Sequence, residues 1–122
     1  MVTSRPRGGN GIANTEDLIS RILELIESES PHTISDVALE LNLSESRLQH
    51  LFKQTTGVGL GHRLIEQRLQ KAASLLTHTR LKIKEIAGSV GYEHTSSFTR
   101  AFERRFEQPP LVYRRAVRSR SR

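Results

Sequence analysis

Cysteine and tryptophan are both absent from this 122-residue sequence. The first absence removes disulfides, thiolate metal ligands and thiol nucleophiles together, and makes an intracellular, cytoplasmic location the expectation. Aromatic residues are scarce, two tyrosines and four phenylalanines, which leaves no stacking platform for single-stranded nucleic acid once a core has taken its share. No apolar run approaches the ~20 residues of a membrane-spanning helix, and Met1–Asn14 lacks the apolar stretch of a secretory signal. No membrane partner is expected. The histidines, His32, His50, His62, His78 and His94, never fall three or four residues apart, so no helical zinc site is implied. Gly57-Val58-Gly59-Leu60-Gly61 lacks the preceding strand and the spacing of a phosphate loop, and no Gly-x-Ser-x-Gly elbow occurs. Neither catalysis nor a cofactor nor a metal is expected. The length fits one domain or two small subdomains and excludes a large multidomain enzyme.

What the sequence does have is positive charge: 19 Lys+Arg against 13 Asp+Glu, a formal net charge of +6. That balance asks for a polyanionic partner, nucleic acid ahead of anionic lipid. Its distribution is more informative than its sum. Residues 15–43 carry −6, with Glu16, Asp17, Glu24, Glu27, Glu29, Asp36 and Glu40 set against Arg21. Residues 44–92 carry +5, residues 93–108 are neutral, and residues 109–122 carry +5 from five arginines. An anion-facing surface is therefore expected only after Ser44.

Hydrophobic periodicity predicts an all-α chain of about seven helices. Residues 1–14, rich in glycine with two arginines, read as a flexible arm or leader. Leu18, Ile22, Leu25 and Ile26 mark one face of a first helix that ends before Pro31. A short helix from about Ile34 to Leu41 follows, capped by Thr33 with Asp36 three residues on. Ser44 caps a third helix with Leu48, Leu51 and Phe52 on its apolar side, ended by Gly57. A long helix from about Leu60 to Thr77 has Leu64, Ile65, Leu69, Ala72, Ala73, Leu75 and Leu76 as its expected buried side. Helices over about Ile83–Val90 and Thr95–Phe106 come next, and Pro109-Pro110 opens a last one. No segment alternates with period two, so no strand is expected.

Two stretches repeat each other: Val37-Ala38-Leu39-Glu40-Leu41-Asn42-Leu43 and Ile86-Ala87-Gly88-Ser89-Val90-Gly91-Tyr92. Each sets a small residue four positions before a turn former. Two helices crossing steeply over a short turn need a small side chain at closest approach and a residue free to take positive φ, which is helix-turn-helix arithmetic. The following helices match as well, Leu48 and Phe52 answered by Phe98 and Phe102, with the offset growing from 49 to 50. The expected division is an arm over 1–14, a first helix-turn-helix subdomain over 15–57, a connecting helix over 58–78, a second subdomain over 79–117 and a basic tail over 118–122. A connecting helix of about 18 residues is ~27 Å long. With its flanking units it matches the ~34 Å of one DNA turn, so two recognition helices from one monomer would meet two successive major grooves.

The order Arg68-Leu69-Gln70-Lys71-Ala72-Ala73-Ser74-Leu75-Leu76, Ile83-Lys84-Glu85-Ile86-Ala87, Gly91-Tyr92, Phe98-Thr99-Arg100-Ala101-Phe102 and Pro109-Pro110-Leu111-Val112-Tyr113-Arg114 resembles the DNA-binding domain of AraC/XylS-family bacterial transcription regulators. The resemblance covers about 100 residues, Thr15 to Arg115. It departs at Lys82, where proline is common, and at Glu107, where glycine is common. It implies double-stranded promoter or operator DNA as partner, DNA bending, and contact with RNA polymerase. It places Ser46, Gln49 and His50 at base-facing positions of the first recognition helix. Side-chain chemistry assigns Arg47 and Lys53 to phosphate. On the second, Thr95, Ser96, Thr99 and Arg100 form the expected exposed face. Arg100 is the strongest base reader, because bidentate Arg to guanine is the commonest specific contact; its bland alternative is an ion pair with Glu103. Arg104 and Arg105 are expected to clamp phosphate or to stand as solvated charges. Two other readings stay open on sequence alone: a helical protein-interaction module working through the acidic helix Glu16 to Glu29, and a nonspecific nucleic-acid binder.

Overall fold

The computed structural model describes residues 15–28 and 33–120; the arm expected over 1–14 and the last two residues of the tail lie outside them. Seven helices and no strand occur among the described residues: α1 (Thr15–Glu27), α2 (Ile34–Leu41), α3 (Glu45–Thr56), α4 (Leu60–His78), α5 (Ile83–Ser89), α6 (Thr95–Phe106) and α7 (Pro110–Arg120). The chain divides into two compact units, the first ending at Arg63 and the second beginning at Leu64. The division falls within α4.

In the first unit α1, α2 and α3 pack on one another. Leu18, Ile19, Ile22 and Ile26 of α1, Val37 and Ala38 of α2, and Leu48 and Phe52 of α3 are buried there, as is Leu60. Each large side chain in that set contributes about 1.5–3 kcal/mol by leaving water. Local chemistry sets the helix ends. Thr33 accepts from the Asp36 N–H at 3.1 Å while Asp36 accepts from the Thr33 N–H at 2.9 Å, a complete capping box. Ser44 accepts from the Arg47 N–H at 3.1 Å to start α3, and Gly57 at φ 82° ends it.

The second unit is built on an aromatic stack. Phe98 and Phe102 are fully buried among Leu69, Ala72, Ala73, Leu76, Ile86, Ala87 and Val90. Ring centroids lie 5.6 Å apart for Tyr92–Phe98, 5.7 Å for Phe98–Phe102, 4.5 Å for Phe102–Phe106 and 5.3 Å for Phe102–Tyr113. Five of the six aromatic residues are used here and the sixth, Phe52, in the first unit. Burial raises the Tyr92 hydroxyl pKa above its ordinary value, partly countered by the positive charge of Arg68.

The repeat is carried into the backbone. After α2 the Leu43 N–H donates to Ala38 O at 2.9 Å and the Asn42 N–H to Leu39 O at 3.2 Å; after α5 the Tyr92 N–H donates to Ala87 O at 2.9 Å and the Gly91 N–H to Gly88 O at 3.1 Å. Both are Schellman closures, with the left-handed position taken by Asn42 at φ 59° and Gly91 at φ 101°. Ala38 and Ala87 are both buried. The residue that shifts the offset from 49 to 50 is Glu93, inserted between Tyr92 and the α6 N-cap His94.

Three details differ from expectation. Ile65, placed on the buried side of α4, is 46% exposed, whereas Leu64 beside it is 6% exposed; neighbours on a helix point about 100° apart, and the core takes one of them. The tail expected from Arg118 is helical through Arg120. Leu51, placed on the apolar side of α3, and Leu75, placed on the buried side of α4, are half-buried.

Both departures from the family pattern have a local account. Lys82 has φ −69°, a value proline would share, but its N–H donates to Glu85 at 2.7 Å, a bond proline cannot make. Glu107 caps α6 in the left-handed region at φ 65°, where a side chain with a Cβ is strained by about 1–2 kcal/mol. Glu107→Gly is expected to raise the melting temperature by about 2–5 °C, the relief being partly offset by the greater freedom of glycine in the unfolded chain. A variant melting at or below the parent would show that the strain is relaxed elsewhere.

Candidate nucleic-acid interface

The α3 helix turns Leu48 and Phe52 inward, and the opposite side carries Ser46, Arg47, Gln49, His50 and Lys53, all exposed. Ser46, Gln49, His50 and Lys53 are three or four residues apart, so their side chains form one stripe. Ser35 of α2 donates to the Glu45 carboxylate, tying the first turn of α3 to α2. Among the described residues, none of the five side chains has a hydrogen-bonding or ionic partner.

In the second unit α6 presents Ser96 and Arg100 to solvent on the side away from Phe98 and Phe102, and Thr95 is exposed in its first turn, while Thr99, expected on the exposed face, is half-buried. Ser96 and Arg100 stand one turn apart. The pairing of Arg100 with Glu103 considered from sequence is not made, and among the described residues the Arg100 guanidinium has no partner. His94 precedes the helix without a side-chain capping bond, so the positive end of the helix dipole lies beside Thr95 and Ser96.

Arg104 and Arg105 differ in kind. Arg104 is exposed and unpaired among the described residues. Arg105 forms a fork with Glu66 of α4, Nε donating to Oε1 at 2.7 Å and Nη2 to Oε2 at 2.8 Å. Its guanidinium carbon also lies 4.7 Å from the Phe106 ring centroid. The hydrogen bond and the Glu66 charge raise the Arg105 pKa further above its ordinary value. Glu66 also accepts from Gln70 Nε2 at 2.8 Å, so one carboxylate ties the last turn of α6 to α4. Sequence reasoning missed this link because no local pattern connects residues 39 apart.

It missed a second link for the same reason. Arg114 of α7 donates from Nε to Leu76 O at 3.1 Å and from Nη2 to Thr79 O at 3.2 Å, and Arg118 donates to Thr79 O as well. Two of the five C-terminal arginines therefore satisfy carbonyls at the end of α4, where positive charge also complements the helix dipole. Partial burial, and secondarily the charge of Arg118, lowers the Arg114 pKa.

Tandem helix-turn-helix units, each with an exposed polar face on its second helix, define the class as a helix-turn-helix protein. A family model described as a helix-turn-helix domain matches residues 37–116. The Right origin-binding protein of Escherichia coli is 35% identical over 88 residues, which is 72% of this chain and 30% of that protein. The C-terminal domain of AraT, a response regulator from Geobacillus stearothermophilus, is 37% identical with a TM-score of 0.74, over 81% of this chain and 84% of that one. The DNA-binding domain of AdpA, solved in complex with a target DNA, has the same fold, with a TM-score of 0.72 at 24% identity over 87% of this chain and 94% of that one. This chain belongs to the AraC/XylS family of helix-turn-helix transcription regulators, a family of regulators and not of enzymes. It spans well under half, 28–39%, of the length of the curated relatives it resembles most. No helix among the described residues is long and apolar enough to cross a membrane.

Proposed function

We propose that this chain is a sequence-specific, double-stranded DNA-binding transcription regulator that inserts α3 and α6 into two successive major grooves. The observation that carries the reading is the paired arrangement itself: two Schellman-closed helix-turn-helix units whose second helices both present exposed polar side chains. Gln49 has the geometry for adenine, Arg100 for guanine, and Ser46, His50, Thr95, Ser96 and Thr99 are short or adaptable readers. Arg47, Lys53 and Arg104 supply phosphate contacts. Arg105, bound to Glu66, contributes to phosphate only by exchanging that carboxylate for a DNA oxygen, and otherwise fixes the pitch of α6. The unit acts as a monomer without cofactor or catalytic step, in the cytoplasm, and RNA polymerase is the second partner this reading implies.

The test is selection of bound duplexes from a random library, followed by sequencing. A motif with two half-sites about one helical turn apart is expected. Equal affinity for selected and scrambled duplexes at ~150 mM salt, where exposed charges are screened beyond about 8 Å, would overturn the reading.

A further inference from the structure

Two apolar features of the surface have no part in the DNA contacts proposed above. The first is an open cavity of about 270 Å³ in the first unit, lined by Leu23, Phe52, Thr56, Val58 and Arg63. It exceeds the ~150 Å³ that suffices for a benzene-sized apolar group. Its polar members are engaged or out of reach: the Thr56 hydroxyl donates to Phe52 O at 2.8 Å and accepts from the Val58 N–H at 3.2 Å, Arg63 Nε is buried, and Arg63 Nη2 faces Glu27 at 3.5 Å. The cavity therefore suits a hydrocarbon side chain. Leu23 brings α1 to its edge, with Glu27 one turn further along the helix and Glu24 beside it, both exposed. Four carboxylates and one arginine give α1 a negative surface.

The second feature is on α7. Leu111 and Val112 are 46% and 44% exposed, and they share with exposed Arg115 and Ser119 the face opposite Tyr113, whose ring packs 5.3 Å from Phe102 of α6. Among the described residues Arg115 has no partner. The helix carries four arginines and no acidic residue. An apolar pair beside an available guanidinium on one surface thus answers an apolar cavity edged by carboxylates on another. We propose that Leu111 of one copy of this chain seats in the cavity of a second copy, with Val112 against Val58 and Arg115 facing Glu24 and Glu27. Unlike surfaces meet, so the contact is heterologous. A few side chains bury less than the ~1,000 Å² of a stable interface, so the chain stays monomeric when dilute and associates when concentrated. The proposal does not rest on DNA recognition.

The sequence has no cysteine, so single introduced thiols report the contact. Val58→Cys and Val112→Cys chains, one of them labelled with nitrogen-15, are mixed equally in a glutathione redox buffer at about 0.5 mM, where weak contacts are populated. The disulfide-linked dimers are then separated by mass. Random exchange yields the mixed dimer at about twice the level of each homodimer, and the contact should raise that ratio about tenfold or more. Adding Leu111→Asp to the Val112→Cys chain should return the random ratio. Adding Arg115→Glu instead should lower the excess several-fold, and Glu24→Arg in the Val58→Cys chain should then recover part of it, as exposed ion pairs of modest strength do. The proposal is overturned by a mixed dimer at or below the random ratio, by an excess that Leu111→Asp leaves unchanged, or by a Glu24→Arg substitution that lowers the yield with Arg115→Glu further. Circular dichroism of each variant separates loss of the contact from loss of the fold.

Discussion

Arg100→Ala is expected to lower affinity for a selected duplex by about 5- to 150-fold, the equivalent of ~1–3 kcal/mol for one bidentate base contact. The expectation rests on three features of the residue. Arg100 is exposed, among the described residues it has no partner, and it lies on the side of α6 opposite the fully buried Phe98 and Phe102. No bond has to be broken before it can reach a base, so little reorganisation offsets the gain. The loss should be selective: the variant should tolerate several bases at one position of the motif and bind random duplex almost as the parent does. Lys53→Ala provides the contrast, weakening selected and random duplexes alike and reducing the slope of log K against log salt by about one. Equal losses on selected and random DNA for Arg100→Ala would reassign Arg100 to phosphate. Binding titrations on both duplexes at two salt concentrations decide between these outcomes.

Much of this fold was legible because its signals are local. Thr33 with Asp36, and Ser44 alone, mark helix starts through side chains within three residues of the amides they bind. Asn42 and Gly91 mark turns because a left-handed backbone restricts residue type. Doubling of the Ala38–Asn42 spacing at Ala87–Gly91 supplied what one copy lacks, since ordinary helix corners share the spacing but seldom repeat it with matched following helices. The features that escaped depend on contacts far apart in sequence. The extension of α7 through Arg120 is tied to carbonyls of Leu76 and Thr79 that Arg114 and Arg118 reach across 35 to 39 residues. Composition and charge make that segment a basic tail; tertiary hydrogen bonding makes part of it structure.

The candidate interface divides along the same line. That α3 and α6 would carry the polar stripes follows from where Leu48, Phe52, Phe98 and Phe102 fall, because the buried face defines the opposite one. Which arginine is available does not follow. Arg100, Arg104 and Arg105 look alike in sequence, yet a fork to Glu66 engages only the last. Thr99 lost part of its exposure by standing next to Phe98, at the edge of the buried face.

Phe102→Ala is expected to have the largest effect on stability, about 3–5 kcal/mol. Phe102 is 0% exposed and lies at the centre of the aromatic stack, within 5.7 Å of Phe98, 4.5 Å of Phe106 and 5.3 Å of Tyr113 by ring centroid. Removing the ring forfeits its transfer free energy, leaves a cavity and deletes aromatic contacts worth about 0.5–1.5 kcal/mol each. A small domain holds roughly 5–15 kcal/mol in total, so the variant loses a large fraction of what keeps α6 in place. Urea unfolding should show a much lower midpoint with a similar slope, and near-ultraviolet circular dichroism from the tyrosines should weaken. Phe102→Leu, which refills most of the space, should recover at least half of the loss. An unchanged midpoint for Phe102→Ala would mean that the stack does not set the stability of the second unit. A lower midpoint that Phe102→Leu leaves unimproved would mean that the aromatic contacts, and not the filled volume, carry the term.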